Sequence, residues 1–145
     1  MGLRQFVFES PEPRDDGALR AAFPEGEYQF RGESVSGEKF AGTAHLSHAL
    51  PDVAILVHPQ EEAEEVAING LLIKWTPVSG VSTYLVEIEQ EETGITLNVS
   101  LPAGTNSFAV PQGFLTPGTE YTLAIGTQDA SGNSSFIETS FETVD

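Results

Sequence analysis

The sequence contains no cysteine, which excludes a disulfide framework and every metal site built on thiolates. It has no run of the roughly 20 apolar residues that a membrane-spanning helix needs, so membrane insertion is not expected. It also has no Gly-x-Ser-x-Gly elbow and no glycine-rich phosphate loop, so nucleophilic and phosphate chemistry lack candidate residues. Neither an enzyme nor a cofactor is therefore expected.

Basic residues are scarce, since 6 Lys and Arg stand against 22 Asp and Glu and give a formal net charge of −16. A field of this sign repels nucleic-acid phosphates and anionic lipid, so nucleic acid and membrane surfaces are not expected partners. A negative field instead attracts cations or a basic protein partner. The plainer interpretation of the same charge is a solvated acidic surface that favours solubility.

The first residues carry no basic segment followed by an apolar one, so no signal peptide is expected there. This pattern leaves two interpretations open, a cytoplasmic protein or a piece of a longer exported chain. The lack of cysteine agrees with both interpretations, because it is not decisive about compartment.

Residues 1–50 form a first segment of short elements. Turn residues, caps and alternation predict a strand at 3–10, a helix at 17–22, and a hairpin of 27–33 with 39–47. Asp15 or Asp16 can cap the helix, and Pro24 stops it. The predicted strand carries Phe6 and Phe8 on one face, and its open edge would allow a homodimer with two-fold symmetry.

About 50 residues without a metal or a disulfide are marginal for independent folding. The apolar side chains of this segment therefore need a second surface: Phe6, Phe8, Phe23, Tyr28, Phe30, Phe40 and Leu46. We predict that residues 1–50 dock on a domain formed by residues 51–145, with Leu72 and Leu85 as candidate receivers. Removal of the residues before Pro51 should then lower the stability of the remaining domain, and unchanged stability would contradict docking.

Residues 51–145 alternate in the manner of β-strands. The segment 53–58 is strand-like, whereas the four glutamates within 61–65 predict a loop or a solvated boundary. From Ala67 onward, turn signals recur about every 8–12 residues, which indicates an all-β sandwich of seven strands if 53–58 is counted. The residues that alternation groups along the predicted strands are Leu71, Ile73 and Trp75; Tyr84, Val86 and Ile88; Ile95, Leu97 and Val99; Phe108 and Val110; Tyr121, Leu123 and Ile125; and Ile137, Thr139 and Phe141.

Three sequence features of this region occur together. Trp75 is followed by Thr-Pro, Tyr84 opens the next long strand, and the sequence LTPGTEY occupies 115–121. With a last loop at 129–133, these features resemble a fibronectin type III domain over residues 67–144, with 51 as the earliest start. The resemblance implies an immunoglobulin-like antiparallel β-sandwich, and its structural signature residues are Trp75, Tyr84, Leu115, Pro117, Gly118 and Tyr121.

The resemblance also implies roles for two of these residues. Trp75 should fill the core between the sheets, and Tyr121 should form a tyrosine corner. A buried phenol must find a hydrogen-bond partner, and the corner leaves backbone carbonyls unpaired, so the Tyr121 hydroxyl should bond to backbone upstream of it. The last loop carries no Arg-Gly-Asp, so integrin recognition is not implied.

The N-terminal segment carries a second resemblance. The sequence FPEGEYQF at 23–30 is similar to a segment that precedes such domains in uncharacterised exported bacterial proteins. This resemblance carries no known activity. Together with the resemblance to a fibronectin type III domain, it implies a non-catalytic structural or protein-interaction module within a larger exported protein, located outside the cell or in the periplasm, with an unknown protein partner. The alternative is a carbohydrate-binding accessory module of an extracellular enzyme, for which Tyr28 is the single aromatic platform.

Three groups of polar residues are weak candidates for binding sites. Glu87, Glu89 and Glu91 alternate on one face of a strand, about 7 Å apart, and could hold a cation or a basic partner. Calcium prefers about six to eight oxygens from a curved loop, so a solvated face is the plainer interpretation. His45 and His48 fall on opposite strand faces and cannot share a metal. The oxygen-rich loop 129–133 is explained by a tight hairpin turn.

Overall fold

The computed structural model describes residues 13–145. Backbone contacts divide the chain into two compact units, one that ends at His48 and one formed by Ala49–Asp145. The strand predicted at 3–10, and with it the homodimer through Phe6 and Phe8, lies outside the described residues. Docking of the first segment on the sandwich stays a prediction.

The first unit contains helix α1, Asp16–Ala22. The backbone N–H of Ala18 donates to Asp15 Oδ1 at 2.8 Å, so Asp15 is the N-cap and Asp16 lies inside the first turn. Pro24 follows the end of the helix, as predicted. Within residues 13–145 no helix is long and apolar enough to cross a membrane.

The predicted hairpin is formed by β1 (Gly26–Glu33) and β2 (Lys39–Leu46), which pair antiparallel. Its register places three pairs on one face: Tyr28 with Ala44, Phe30 with Gly42, and Gly32 with Phe40. The ring of Phe40 lies over Gly32, where an added Cβ would overlap it. This face stays partly in solvent, since Phe30 is 40% and Phe40 51% exposed.

Residues Ala49–Asp145 form a β-sandwich of eight strands, one more than predicted. The strands are β3 (Leu56–His58), β4 (Ala63–Val66), β5 (Leu72–Trp75), β6 (Thr83–Gln90), β7 (Ile95–Pro102), β8 (Ser107–Ala109), β9 (Glu120–Gln128) and β10 (Ser134–Thr143). The larger sheet has the order β4-β10-β9-β6-β7 and the smaller one the order β3-β5-β8. All neighbours are antiparallel except β4 and β10, which are parallel.

Strand β4 contradicts the prediction that the acidic run forms only a loop or boundary. Its two pairs with β10 are Ala63 with Phe141 and Val66 with Thr143, and the register shifts between them. Glu65 has a φ of 57°, and this irregularity keeps Glu64 and Glu65 exposed while Val66 is buried. Repulsion between the carboxylates therefore does not prevent strand pairing, because a bulge directs both of them into water.

The strand predicted at 53–58 is shorter than expected and forms only over Leu56–His58. The residue before it, Ile55, makes one backbone bond in the same register, since the Thr76 N–H donates to its carbonyl at 2.9 Å. The N–H of Ile55 donates to the side chain of Thr76 instead, at Oγ1 and 3.2 Å. A register shift lies within β3, between Leu56 and His58.

The core lies between the two sheets and consists of the inward faces that alternation predicts. The almost fully buried side chains include Ile73, Trp75, Tyr84, Val86, Ile88, Tyr121, Leu123, Ile125 and Phe141. Ile95, which alternates with Leu97 and Val99, lies at the turn end of the β6–β7 hairpin and is 53% exposed.

Candidate functional site

Trp75 lies in the centre of the core and is only 1% exposed. Its ring centroid is 5.3 Å from that of Tyr84, with the planes tilted by 51°, a favourable geometry for an aromatic pair. The Tyr84 hydroxyl accepts the backbone N–H of Val78 at 2.7 Å. Trp75 Nε1 is buried and has no hydrogen-bond partner among the described residues. Trp75 therefore acts by filling volume, as predicted, and Tyr84 also secures the loop before β6.

Tyr121 forms the predicted corner, but with a different bonding pattern. Its hydroxyl accepts the backbone N–H of Thr116 at 2.9 Å and lies 3.1 Å from Thr116 Oγ1. Among the described residues the phenol therefore bonds to the amide and the hydroxyl of Thr116 rather than to the expected backbone carbonyl. The ring stacks on Phe141 with centroids 5.5 Å apart, which anchors the corner in the core.

The remaining signature residues shape the same corner. Leu115 is buried at 5% exposure and packs in the core. Gly118 follows Pro117 with a φ of 54°, a conformation that favours glycine, and its N–H donates to the Val144 carbonyl at 2.9 Å. The turn is thereby bonded to the residue that follows β10.

A buried threonine that sequence reasoning did not single out completes the corner. Thr143 Oγ1 donates to the Thr116 carbonyl at 2.7 Å and accepts the N–H of Thr119 at 2.9 Å. The signal that could have found it is parity, because Thr143 continues the inward face of Phe141. Thr127 on β9 is a second example, fully buried, with its hydroxyl donating to the Asp52 carbonyl at 2.8 Å.

The three candidate carboxylates do not form a metal site. Glu87 and Glu89 lie on the outer face of β6, whereas Glu91 falls in the turn after the strand and accepts the Thr122 hydroxyl at 3.4 Å. The neighbours on the same face are neutral: Asn98 and Ala124 beside Glu87, and Thr96 and Thr122 beside Glu89. In the described part of the chain no three His, Asp or Glu side chains converge as metal ligands would.

The loop 129–133 uses its oxygen atoms for its own turn. Asp129 Oδ1 accepts the N–H of Ser131 at 2.8 Å, the Ser131 hydroxyl at 2.7 Å and the N–H of Asn133 at 3.1 Å. These bonds, above all the one from the Ser131 hydroxyl, hold the pKa of the Asp129 carboxyl below its usual range. The geometry agrees with a tight hairpin turn.

Strand β7 forms one edge of the larger sheet. Within the described residues it pairs with β6 alone, and its sequence ITLNVSLP contains no charged residue. The other end of the sheet is β4, which has four residues, two of them glutamates, and a bulge. The outer strands of the smaller sheet, β3 and β8, have three residues each. The sandwich thus has one long edge without charge.

The chain is similar in structure to several solved proteins. A two-domain fibronectin type III segment of chicken tenascin matches with a TM-score of 0.51 at 17% identity, covering 81% of this chain and 65% of that one. The sandwich has the fibronectin type III fold. The fn3 domain of human collagen alpha-1(XX) gives a TM-score of 0.48 at 24% identity, covering 65% of this chain and 83% of that one.

A third match comes from a longer protein segment. The FN1–FN3 domains of chicken CNTN1 give a TM-score of 0.49 at 17% identity, covering 82% of this chain. This chain spans 44% of that segment, so it corresponds to less than half of it. No protein-family model and no curated protein sequence matches the chain. The fold predicted from Trp75, Tyr84 and the LTPGTEY sequence is confirmed by the two sheets and by the similarity to the tenascin segment.

The other candidate residues, Tyr28 and His48, lie in the first unit. The Tyr28 hydroxyl donates to the Pro24 carbonyl at 2.9 Å, and the residue is half-buried. His48 lies beyond β2 and its N–H donates to Glu25 Oε1 at 2.7 Å, which lowers the pKa of the Glu25 carboxyl. His48 therefore has a structural role in the first unit.

The stabilising contribution of Asp129 is expected to disappear at low pH. Because folding lowers the pKa of its carboxyl, the charged form favours the folded state above the unfolded-state pKa of about 4. That contribution is lost as the pH falls through the lower folded-state pKa. The difference in urea midpoint between the wild-type chain and Asp129→Ala should therefore be larger at about pH 7 than at about pH 2.

Asp129→Asn is the matched control, because it keeps an acceptor oxygen but removes the charge. The difference in urea midpoint between the Asn and Ala variants should therefore change little with pH. If the difference in urea midpoint between the wild-type chain and Asp129→Ala is the same at about pH 7 and about pH 2, the bonds of the loop do not lower the pKa of the Asp129 carboxyl.

Proposed function

We propose that this chain is a non-catalytic structural or protein-interaction module and one piece of a larger exported bacterial protein. Its site of action is extracellular or periplasmic. Support for the module comes from its fold, which it shares with the fibronectin type III segment of tenascin. Support for export comes from the segment at 23–30, which resembles segments of exported bacterial proteins.

The observation that carries the proposal is the long uncharged edge formed by β7. An edge strand presents N–H and C=O groups that no neighbour uses, and such groups pair readily with another chain. Partner proteins often use this property by adding a strand to an exposed sheet edge. The other edges of the sandwich are short or carry glutamates, so β7 is the surface where a protein partner has most backbone to bind.

The buried polar groups support a non-catalytic role. Tyr84, Tyr121, Thr127 and Thr143 all bond to backbone amides or carbonyls within the sandwich. Each of these groups stabilises a loop or a corner rather than facing a cleft. The pKa of Asp129 is explained in the same way, by the bonds of its own turn.

Display of random linear peptides tests the interaction role. We expect selection on the immobilised chain to enrich a family of related sequences that compete with one another for the same surface. The control target is the same chain unfolded in urea and refolded, which should select the same family. If neither the immobilised chain nor the refolded chain enriches a family of related peptides, the interaction role is overturned.

The coding sequence on either side of this chain tests the exported context. An upstream export signal and further domains in the same reading frame are expected. A short gene that ends at both borders of the chain and lacks an export signal would contradict this part of the proposal, and would leave the interaction role to the peptide selection.

A further inference from the structure

We propose that the β7 edge binds an extended peptide of alternating basic and apolar residues, which joins the larger sheet as an additional strand. This inference rests on the proposed interaction role and specifies the chemistry of the partner. Four observations carry it: the backbone of β7 that no described residue pairs with on the side away from β6, its lack of charge, the apolar row on its inner face, and the carboxylates on the outer face of the neighbouring strand β6.

The backbone of β7 provides the hydrogen bonds. In an antiparallel pair the bonds alternate, so about half of the N–H and C=O groups of an edge strand point away from its neighbour. Strand β7 has eight residues and pairs, within residues 13–145, only with β6. Its one proline, Pro102, is the last residue and interrupts no more than the end of a new ladder.

Natural sheets protect their edges with charges, bulges or short strands. Strand β4 at the opposite edge has all three, whereas β7 has none of them along its length. The difference matters in a chain with 22 acidic residues, because charged side chains are plentiful elsewhere and absent from these eight positions. We infer that this edge is kept open for a partner strand.

The inner side of β7 specifies apolar residues in the partner. Leu97 and Val99 lie opposite Ile88 and Val86 of β6, and both are only half-buried. Ile95 is 53% exposed at the turn end of the same row. A strand added beside β7 would place every second side chain against this row and extend the core outward. These side chains must be apolar to gain from that contact.

The outer side specifies basic residues. The side chains of β7 on this face are Thr96, Asn98 and Ser100, which carry no charge. The next strand carries Glu87 and Glu89 on the same face, two strand spacings from an added strand. Strands lie about 4.8 Å apart, so the distance is about 10 Å, which a lysine or arginine side chain can largely span.

Charge complementarity argues against a second copy of this chain as the occupant. Pairing of two β7 edges would bring together two molecules with a formal charge of −16 each, and both would present glutamates on the neighbouring strand. Like charges at this separation repel at low ionic strength. A basic peptide gains from the same field, both in encounter rate and in the bound state.

The probe is a fluorescent peptide that alternates lysine and valine over about eight residues, the length of β7. We expect its anisotropy to rise on titration with the full chain, and backbone NMR shifts to concentrate on β7 and its neighbours. A peptide that alternates glutamate and valine should bind at least about tenfold more weakly. Absence of binding by the lysine peptide, or shifts spread over the whole acidic surface, would overturn the inference.

Backbone methylation of the peptide tests strand addition without changing the protein. One peptide carries N-methyl groups at odd positions and another at even positions, so each blocks one edge of the added strand. We expect one pattern to weaken binding by about tenfold or more and the other to leave it nearly unchanged, because only one edge faces β7. Equal effects of both patterns would rule out a new ladder.

The carboxylates are tested by Glu87→Gln with Glu89→Gln. This pair should weaken the lysine peptide by roughly three- to tenfold at low salt, with less difference at high salt. The matched control is Glu138→Gln with Glu142→Gln, which removes the same charge from exposed positions of β10, across the sheet from β7. If both double variants lose the same affinity for the lysine peptide, the peptide is attracted by the net charge of the chain alone, and the inference is overturned.

Two further results separate this inference from the proposed function. Selected peptides that bind the end loops and lack the alternating pattern would overturn the strand-addition proposal and leave the interaction role intact. Sedimentation that shows a dimer through the β7 edge which the lysine peptide fails to disrupt would assign this edge to a second copy, again contradicting the peptide proposal alone.

Discussion

Replacement of Trp75 by alanine is expected to lower the free energy of unfolding by about 3–5 kcal/mol, the range for a large aromatic side chain deleted from a core. Trp75 is 1% exposed and packs against Tyr84 at the centre of the two sheets. Because it is the single tryptophan, urea unfolding should be followed by circular dichroism and not by fluorescence.

The conservative variant Trp75→Phe separates volume from polarity. Phenylalanine restores much of the ring and removes Nε1, a buried donor without a partner among the described residues. An unpaired buried donor costs about 1–3 kcal/mol, so its removal should offset part of the lost volume. We expect Trp75→Phe to lower the free energy of unfolding by less than half as much as Trp75→Ala. Equal losses would contradict the view that Trp75 acts only by filling space.

The second large effect is expected for Tyr121→Phe, which should lower the free energy of unfolding by about 1–3 kcal/mol. The change keeps the ring on Phe141 and removes only the hydroxyl that accepts the Thr116 N–H. The amide then loses its acceptor inside the corner. Chemical unfolding of both proteins at neutral pH measures the difference.

Two other tyrosines of this chain provide matched controls. Tyr84→Phe should cost a similar amount, because its hydroxyl also accepts a backbone N–H, that of Val78. Tyr28→Phe should change stability by less than about 0.5 kcal/mol, because water can replace the hydroxyl at the exposed Pro24 carbonyl. If Tyr121→Phe lowers the free energy of unfolding no more than Tyr28→Phe does, the structural role of the corner is contradicted.

Coupling within the corner can be measured with Thr143→Val, a change of nearly equal volume. Thr143 binds the carbonyl of Thr116, the residue whose N–H binds Tyr121. Because both side chains hold the same residue, the double variant should lose less stability than the sum of the single variants. Strict additivity would show that Thr143 and Tyr121 act independently.

Alternation was sufficient for most of the sandwich because a side-chain period of two distinguishes the two faces of a strand. It predicted the buried faces around Trp75, Tyr84 and Leu123, and the LTPGTEY sequence predicted the corner at Tyr121. Alternation does not indicate that Ile95, at the end of β7, is 53% exposed. Burial at the end of a strand depends on which other strands pack over it, and those strands are distant in the sequence.

The sequence by itself determined the fold and its two aromatic anchors, because local alternation and turn residues act over only a few positions. The tertiary structure decided the rest: the parallel pairing of β4 with β10, the amide acceptor role of Tyr121, and the burial of Thr127 and Thr143. It also decided that β7 is an edge. Each of these depends on which strand lies beside which, and no local pattern encodes the neighbours of a strand.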